Sequence, residues 1–332
     1  MATFPPDDLD AARTQLAAAA RLLLITHIAP DGDAIGSLLG LGLALRAAGK
    51  DTVFACADPL PDIFRFLPAS NEITSNPDGR FDGVVVLDVS DPARMGAIGA
   101  KLERVPDIVF DHHLTNPGFG ALNFIDVQAA STAELVTELL PALGLALTAD
   151  SAQCLLTGLV NDTLGFRTSN TTPKTLALAQ TLMLAGGVLH EVYDLSMFKR
   201  SYSAVRLWAE GLARMQFKHR IVWAKLPLAA RQASNFQGTG DADLINVLTS
   251  VRDADIAVIF VERADGKVKI SWRSVAGITV SGVAAQFGGG GHAQAAGAEV
   301  AGTLEDVEAR VLAATRLVLK PAPTASAAPA LS

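Results

Sequence analysis

Four short runs in the first half of the chain are almost entirely apolar, and they constrain the fold more than any other feature. They are RLLLIT, TVFACA, VVVLDV and DIVF, at residues 21–26, 52–57, 84–89 and 107–110. Strands that are apolar throughout, rather than at every second position, are typical of parallel sheets covered on both faces. Helical patterns lie between or after these runs, at residues 34–48, 130–142, 150–161 and 173–186. The first half is therefore predicted to be an α/β domain, a mostly parallel sheet with helices on both faces.

The length of 332 residues indicates two domains. Gly186 and Gly187 interrupt the helical pattern, and residues 188–211 then predict one long, polar-faced linker helix. Beyond it the sequence contains segments of alternating apolar and polar residues, such as KVKISWRS, that are typical of strands. They indicate a smaller α+β domain with helices at 278–286 and 304–318. The predicted organisation is an α/β domain at 1–187, a linker helix at 188–211, an α+β domain at 212–320, and a disordered Pro/Ala/Ser-rich tail at 321–332.

The charge of the chain is divided unevenly. Residues 1–210 carry 14 Lys and Arg against 24 Asp and Glu, whereas residues 211–320 carry 13 against 10. Binding along a nucleic-acid duplex requires a broad basic surface. This distribution therefore argues against a long nucleic-acid partner and allows a few phosphates to be bound, especially if cations offset the acidic half.

The cysteines and the N-terminal segment indicate the compartment. Cys56 and Cys154 lie in apolar runs, which predicts buried free thiols in a reducing environment. The segment AAAARLLLIT resembles the apolar core of a signal peptide, but Asp7, Asp8 and Asp10 precede it where a signal peptide is basic. The sequence contains no uninterrupted apolar run of the ~20 residues that a membrane span needs. We therefore expect a cytoplasmic protein without a membrane segment.

Acidic residues and histidines collect where predicted strands and helices end. They are His27, Asp31 and Asp33 after the first strand, Asp88 at the end of VVVLD, Asp111, His112 and His113 after DIVF, and Asp162 in LVNDTLGF. Each group alone has an ordinary explanation, such as a turn and helix N-cap for PDGD. Ligands of open α/β sheets, however, bind at the carboxyl ends of the strands. Together these residues predict a site for two divalent cations, with Asp88 as the bridging ligand. Oxygen and imidazole without thiolate favour Mn²⁺ or a similar ion over structural zinc.

A second unusual segment is FGGGGHAQAAGA, at residues 287–298. A run of glycines lets backbone N–H groups approach an anion closely. The segment is not a P-loop, because no Lys-Ser/Thr pair follows the glycines. A flexible linker is the alternative, but the adjoining His292 and the Ala/Gly run favour an anion-contact loop. The remaining histidines His190 and His219 have polar neighbours and are predicted to lie at the surface.

Five motifs carry a family resemblance: HIAPDGDAIGS, the lone Asp88, DHH at 111–113, NDTLGFRTSNTT at 161–172 and GGGGHAQAAGA at 288–298. In order and spacing, over about residues 18–318, the chain resembles the DHH phosphoesterases with a DHH-associated C-terminal domain, and most of all their nano-RNase/pAp-phosphatase branch. The resemblance implies a Mn²⁺-dependent hydrolase that converts short single-stranded RNA or DNA oligonucleotides and dinucleotides to 5′-mononucleotides, or 3′-phosphoadenosine 5′-phosphate (pAp) to AMP.

The resemblance also implies roles for the matching residues. One ion would be bound by His27, Asp31 and Asp88, and the other by Asp33, Asp88, His112 and Asp162. His113 would contact the phosphate or transfer a proton, and Asp111 would orient an imidazole. The substrate contacts of the C-terminal domain would be Arg273, Gly289, Gly290, Gly291 and His292. Two positions depart from the family pattern: Ala29, where relatives often carry Asn, and Trp272, where a smaller apolar residue is usual and which leaves the shape of the substrate pocket open.

Other functions remain as alternatives. Manganese pyrophosphatases share the N-terminal motifs, but their second domain lacks a GGGH segment of this kind. Cyclic-dinucleotide phosphodiesterases usually add membrane and sensory segments, although hydrolysis of linear dinucleotides stays open. RecJ-like exonucleases carry additional nucleic-acid domains. A nucleotide-binding sensor without turnover would be expected to have lost at least one of the six predicted ligands, all of which are present. The preferred substrate and the oligomeric state, including a homodimer, stay open.

Overall fold

The computed structural model describes residues 4–238 and 240–319. The chain divides into two compact units, Met1–Lys199 and Arg200–Ser332. The division falls within the range predicted as a linker, and the predicted disordered tail at 321–332 lies outside the described residues. Across 4–238 and 240–319, no single helix is long and apolar enough to cross a membrane; one bent pair, Pro173–Leu184 with Leu189–Phe198, has the length and composition of a broken span.

The sheet of the first unit is parallel, as predicted. Its strands are β1 (Arg21–Ile25), β2 (Asp51–Ala55), β3 (Gly83–Leu87), β4 (Ile108–Asp111) and β5 (Leu122–Ile125), in the spatial order β2-β1-β3-β4-β5. The four apolar runs form the first four strands. The edge strand β5 was not predicted, because it buries only Phe124 fully and so lacks a continuous apolar run.

The helices of the first unit lie on both faces of this sheet. They are α1 (Pro6–Ala18), α2 (Gly32–Ala47), α3 (Gly96–Gly99), α4 (Thr132–Leu139), α5 (Ala149–Asp162), α6 (Pro173–Leu184) and α7 (Leu189–Val192), with 3₁₀ turns at Asp62–Phe64, Ser70–Glu72 and Pro92–Met95. Alternate residues of β1 enter different cores: Leu24 packs with α2, α4 and α5, whereas Leu23 packs with Met95 and Ile98. Helix α1 was missed; two of the acidic residues that argued against a signal peptide, Asp7 and Asp8, occupy its first turn.

Close packing of α2 against α5 brings two predicted ligands together. A Cβ at Gly36 would lie 2.5 Å from the Cys154 carbonyl oxygen, and a Cβ at Gly158 would lie 2.8 Å from Asp33 Oδ1. Only glycine permits such an approach. The helix pair therefore places the first turn of α2, with Asp33, beside the last turn of α5, with Asp162.

The predicted single helix at 188–211 is wrong. Helix α7 runs into a π-helical turn at Tyr193–Phe198, the backbone is extended at Lys199, and α8 (Tyr202–Leu212) begins anew. The reason is local, because the Ser201 side chain accepts a hydrogen bond from the Ala204 backbone N–H at 3.1 Å. Ser201 is thus the N-cap of a new helix.

The second unit is an α+β domain with a mixed sheet. Its strands are β6 (Gln216–Lys218), β7 (Ile221–Leu226), β8 (Ile256–Glu262), β9 (Lys267–Ser274), β10 (Gly290–His292) and β11 (Ala295–Ala301), in the order β10-β11-β9-β8-β7-β6. Its other helices are α9 (Leu228–Ser234), α10 (Leu244–Leu248), α11 (Ser281–Gln286) and α12 (Leu304–Arg316). Only β7 and β8 pair in parallel among the described strands of this sheet. The two predicted helices correspond to α11 and α12, whereas α9 and the five-residue α10 were not predicted.

Ala29 adopts a backbone conformation that suits Ala poorly. It is exposed, has φ 51°, and its N–H donates to Asp58 Oδ2 at 2.7 Å. The left-handed region costs an L-residue with a plain Cβ roughly 1–2 kcal/mol, whereas Asn enters it more readily. The loop between β1 and α2 therefore carries local strain at this position.

Replacing Ala29 with Asn should raise the free energy of unfolding by about 0.5–1 kcal/mol, because Asn tolerates the left-handed backbone. Urea unfolding of the metal-free protein measures the difference. Ala48→Asn is the matched control, since Ala48 is also exposed but has φ −85°. A change at Ala29 no more favourable than the change at Ala48 would argue against strain at this loop.

Candidate metal centre

The predicted ligands lie together at one edge of the first unit. This edge is formed by the carboxyl ends of β1, β3 and β4 and by the last turn of α5. Three groups offer ligand atoms within 4.8 Å of one another: His27, Asp31 and Asp88; Asp88, His112 and His113; and Asp33, His112 and Asp162. Asp88 belongs to two of the groups, and His112 also belongs to two. The three groups therefore overlap into one cluster.

Asp88 occupies the centre of this cluster. Its side chain is 2% exposed. One oxygen, Oδ2, lies 3.4 Å from His27 Nε2, while Oδ1 lies 3.7 Å from His113 Nδ1 and 3.8 Å from His112 Nε2. The backbone has φ 60° although its N–H still donates to the Phe110 carbonyl. Strained conformations of this kind occur where surrounding structure enforces them, commonly at functional sites.

Contacts at Nδ1, the ring nitrogen on the side away from the carboxylates, fix the orientation of His27. Its Nδ1 lies 2.7 Å from the Ile28 carbonyl oxygen and 3.0 Å from Arg94 Nη2. A carbonyl accepts only, so the shorter contact favours a proton on Nδ1 and a lone pair on Nε2, which faces Asp31 and Asp88. Burial lowers the pKa of His27, but the hydrogen bond and charge of Asp88 outweigh burial and raise it.

Asp31 and Asp33 both belong to the start of α2. Asp31 Oδ1 accepts from the N–H groups of Asp33 and Ala34 at 3.1 and 3.0 Å, so the ordinary explanation of PDGD as a helix N-cap is also correct. Asp33 is buried, and its two oxygens accept from the N–H groups of Thr132 at 2.6 Å and Ala133 at 2.9 Å. Each oxygen keeps a further lone pair for another partner.

Asp111 is fully buried beneath the two histidines that follow it. Its Oδ1 accepts from His113 Nδ1 at 2.7 Å and from the His112 backbone N–H at 2.8 Å. Its Oδ2 accepts from Asn116 Nδ2 at 2.6 Å, and the same amide also donates to the Val89 carbonyl at 3.0 Å. This network holds the His113 ring in one orientation, consistent with the orienting role predicted for Asp111.

Asp162 completes the cluster from the last turn of α5, with Oδ2 3.5 Å from His112 Nε2. The chain then turns through Leu164, Gly165 and Phe166, all with positive φ. The Tyr193 hydroxyl donates to the Gly165 carbonyl at 3.0 Å. The π-helical turn therefore supports the loop that follows Asp162, and such turns are frequent near functional sites.

The carboxylates of the cluster repel one another. Burial, followed by the charges of Asp88, Asp162 and Asp31, raises the pKa of Asp33 well above its usual value. Burial and the charges of Asp88 and Asp31 raise the pKa of Asp162 to about 7. Burial also disfavours ionisation of Asp88, but the hydrogen bond with His27 and the charges of His112 and His27 hold its pKa below the usual range. Carboxylate oxygens and imidazole nitrogens in excess negative charge suit divalent cations.

Two of the predicted substrate residues of the second unit, Arg273 and His292, lie in one cross-strand row of the sheet. Arg273 of β9 pairs with Ala295 of β11, which pairs with His292 of β10. Directly opposite residues of antiparallel strands point to the same side. Trp272 points to the other side, where it is fully buried and donates to Thr315 Oγ1 at 3.0 Å. The large indole therefore fills the core and leaves the Arg273 face unchanged.

The glycine-rich segment is a hairpin and neither a loose loop nor a flexible linker. A Cβ at Gly289 would lie 2.0 Å from the Gly297 carbonyl oxygen, and a Cβ at Gly291 would lie 2.4 Å from that of Ala295. Both glycines are required by the close pairing of β10 and β11. A Cβ at Gly290 would meet nothing within 4 Å, so packing does not require glycine there.

Sequence reasoning missed several residues that contact the cluster: Asn116, Arg94, Thr132 and Ala133. The spacing from Ser131 to Glu134 is a helix-start signature that could have located the last two. Sequence reasoning also missed that Cys56 lies beside the cluster, with its Sγ 3.3 Å from the His27 carbonyl oxygen. Both cysteines are buried and free, as predicted.

Comparison with known proteins matches both units to families. Residues 21–159 match the DHH family N-terminal domain, and residues 235–320 match the DHHA1 domain. The bifunctional oligoribonuclease and PAP phosphatase NrnA of Thermus thermophilus is 38% identical over 300 residues, which cover 89% of each chain. The chain belongs to the DHH family of phosphoesterases.

Two further proteins are similar to this chain over most of their length. The NrnA protein of Bacillus subtilis is 29% identical over 84% of this chain and 89% of its own. A crystal structure of an exopolyphosphatase-related protein from Bacteroides fragilis has a TM-score of 0.89 and 25% identity, and the match covers 96% of this chain and 97% of that one. The similarity to each of these proteins therefore extends over both units of this chain.

The metal-free protein should lose stability as pH rises from 5.5 to 8, by on the order of 2 kcal/mol. Asp162 has a pKa of about 7 when folded and near 3.8 when unfolded, so from pH 5.5 up to about 7 the folded state holds a proton that the unfolded state has released. Stability is then lost as pH rises. Asp88, whose pKa is lowered, titrates below this pH range. Saturating divalent metal should remove the loss, because the cation replaces the proton.

Urea unfolding in chelator at the two pH values tests this. Asp162→Asn should reduce the dependence and leave the part due to the raised pKa values of Asp33 and His27. Asp150→Asn, at an exposed residue in the first turn of the same helix, should not reduce it. An unchanged dependence in Asp162→Asn would assign the effect to other groups.

Proposed function

We propose that this DHH phosphoesterase is a cytoplasmic, Mn²⁺-dependent hydrolase of short oligonucleotides and dinucleotides that also converts pAp to AMP. The observation that carries the proposal is the buried Asp88, whose two oxygens face different imidazoles at one edge of the sheet. The similarity to oligoribonuclease and PAP phosphatase relatives over 89% of the chain supports the substrate class. The two buried free thiols suit a reducing compartment.

The overlapping groups suggest two ligand sets. His27, Asp31 and Asp88 would hold one ion, and Asp33, Asp88, His112 and Asp162 would hold the other. When bound, a pair of divalent cations lowers the pKa of a water molecule and stabilises negative charge on a phosphoryl group. Asp33 can serve although both its oxygens accept from α4, because a carboxylate has about four lone-pair sites.

The remaining polar side chains of the cluster would act on the substrate. Asp111 accepts from His113 Nδ1, so His113 presents Nε2 outward in a fixed direction. From there the imidazole can donate to a phosphate oxygen or exchange a proton with the leaving group. The Asn116 amide donates to Asp111 in turn, and this bond limits rotation of the Asp111 carboxylate and of the His113 ring bound to it.

We propose that the DHHA1 domain binds a second negative group of the substrate. Arg273 can donate to a phosphate through two N–H groups, and His292 lies in the same cross-strand row, separated from it by the small Ala295. Gly290, where packing imposes no glycine, leaves the hairpin backbone accessible to an anion. This division assigns phosphate hydrolysis to residues 1–187 and substrate binding to residues 212–320.

The decisive experiment compares pAp, a dinucleotide, a ~20-mer RNA and inorganic pyrophosphate with the pure protein, in Mn²⁺, Mg²⁺, Co²⁺ and Zn²⁺ in turn. We expect the highest kcat/KM on the dinucleotide or pAp in Mn²⁺, and weak hydrolysis of the longer strand because basic surface is scarce. Preferential hydrolysis of pyrophosphate, or equal rates on the ~20-mer and the dinucleotide, would contradict the proposal.

Asp88→Asn should abolish hydrolysis, by at least about 10³-fold, and reduce bound metal, because one oxygen of the carboxylate that both ligand sets share is replaced by an amide donor. Metal analysis of the purified protein and kinetics on the dinucleotide provide the measurement. Asp150→Asn serves as the control of equal chemistry at an exposed position. Full metal content with normal turnover in Asp88→Asn would refute the shared-ligand assignment.

Arg273→Ala should keep the metal content of the wild type yet lower kcat/KM on dinucleotides by about 10- to 1,000-fold, equivalent to about 1.4–4 kcal/mol of transition-state binding. His292→Ala should have the same kind of effect. Arg310→Ala is the matched control, because it removes an exposed cation from the same domain. If Arg273→Ala and Arg310→Ala are indistinguishable on the dinucleotide, the DHHA1 domain does not hold the substrate through Arg273.

A further inference from the structure

Thr132, the first residue of α4, contacts two of the buried carboxylates in the cluster. Its backbone N–H donates to Asp33 Oδ2 at 2.6 Å, and its hydroxyl donates to Asp88 Oδ1 at 2.9 Å. The residue is fully buried. One side chain and its own backbone therefore connect the carboxylate shared by both proposed ligand sets with a carboxylate of one set alone.

The direction of the hydrogen bond to Asp88 is determined by chemistry. An ionised carboxylate only accepts, so the Thr132 hydroxyl must donate. This bond takes one lone pair of Oδ1 and leaves the other, on the side of His112 and His113 at 3.8 and 3.7 Å. The second oxygen, Oδ2, is left directed towards His27 at 3.4 Å.

The torsion about the Cβ–Cγ bond of an Asp is otherwise broad. Asp88 needs a defined value of this torsion, because a carboxylate rotated partly about this bond would no longer direct one oxygen to His27 and the other to His112 and His113. The hydroxyl of Thr132 is the side-chain donor that fixes Oδ1 on the side of α4. Its own position is fixed in turn by the start of the helix, where Ser131 is the N-cap and accepts from the Glu134 N–H at 2.9 Å.

We propose that Thr132 is a positioning residue, whose hydroxyl holds the Asp88 carboxylate so that its two oxygens serve different metal ions. The inference rests on the proposed function, since it concerns the two ligand sets. It assigns α4 a part in metal binding although this helix supplies none of the proposed ligands.

The chain offers closely matched variants. Thr132→Val has nearly the same shape and keeps the backbone N–H to Asp33, but it lacks the donor to Asp88. Thr132→Ser keeps the hydroxyl and loses only a methyl group. Thr137→Val is the control: Thr137 is buried in the same helix, and its hydroxyl donates to the Ala133 carbonyl at 2.6 Å, so the variant loses one buried hydroxyl without removing a donor to a carboxylate.

The experiment titrates each metal-free protein with Mn²⁺ by calorimetry, with thermal unfolding and dinucleotide kinetics on the same samples. Outer residues that orient metal ligands typically contribute 10–100-fold to metal affinity or activity. We expect Thr132→Val to weaken the binding of at least one Mn²⁺ by at least about tenfold, and to lower kcat more than it raises KM. Thr132→Ser should bind metal like the wild type, and Thr137→Val should match the wild type in metal affinity even if its melting temperature falls.

Wild-type affinity for both ions in Thr132→Val would overturn the inference, as would equal weakening in Thr137→Val. A loss in Thr132→Ser as large as in Thr132→Val would show that shape rather than the hydroxyl matters, and would also overturn it. The metal readout separates this inference from the proposed activity. If the wild type binds two ions but hydrolyses none of the nucleotides, the substrate assignment fails while the Thr132 result still decides the positioning role. If the wild type binds no divalent ion, both proposals fail.

Discussion

Repulsion among buried carboxylates is the constraint on which the rest of this structure depends. Asp33 and Asp88 are nearly inaccessible to water, and Asp162 has a pKa raised to about 7 by burial and by its acidic neighbours. Buried like charges are unfavourable unless hydrogen-bond donors or cations compensate them. The fold supplies donors to Asp33 through the first N–H groups of α4, and imidazoles to Asp88 on both sides. The charge that these groups leave uncompensated is what a divalent cation would neutralise.

The parts of the fold that sequence could predict are those with a local signal. Wholly apolar runs predicted the first four strands of the parallel sheet, and long helical patterns predicted α2, α5 and α6. The failures have equally local reasons. Edge strand β5 buries a single aromatic fully, the five-residue helix α10 is too short for a periodic pattern, and the Ser201 N-cap that divides the predicted linker helix was overlooked. Whether such short elements form depends on tertiary packing, and a single sequence carries little information about that packing.

The same distinction applies to the metal centre. The predicted ligands could be found because each follows a strand or ends a helix, and strand ends of a parallel sheet meet at one edge. The contacts that support these residues could not be predicted, since they join residues far apart in sequence. Thr132 contacts Asp88 across 44 positions and Asp33 across 99. Arg94 reaches His27 across 67. Asn116 is near in sequence to Asp111, but Asn is common in turns for local conformational reasons. Its position alone therefore does not predict a contact with Asp111.

The charge distribution gives the cations a second role under the proposed function. The first 210 residues carry an excess of ten acidic groups, so an uncompensated DHH domain would repel a phosphorylated substrate. Divalent ions that complete the centre would reverse the local field where the phosphate must lie, since bound ions are commonly the largest charges of such a site. Metal binding would then govern substrate affinity as well as hydrolysis. A residue that orients a ligand without touching substrate, such as Thr132, would affect both substrate affinity and hydrolysis, whereas Arg273 would affect substrate affinity alone. The two kinds of effect differ because the charges lie in different units. The acidic excess is confined to the first unit, and the cation of Arg273 belongs to a separate compact unit with its own core.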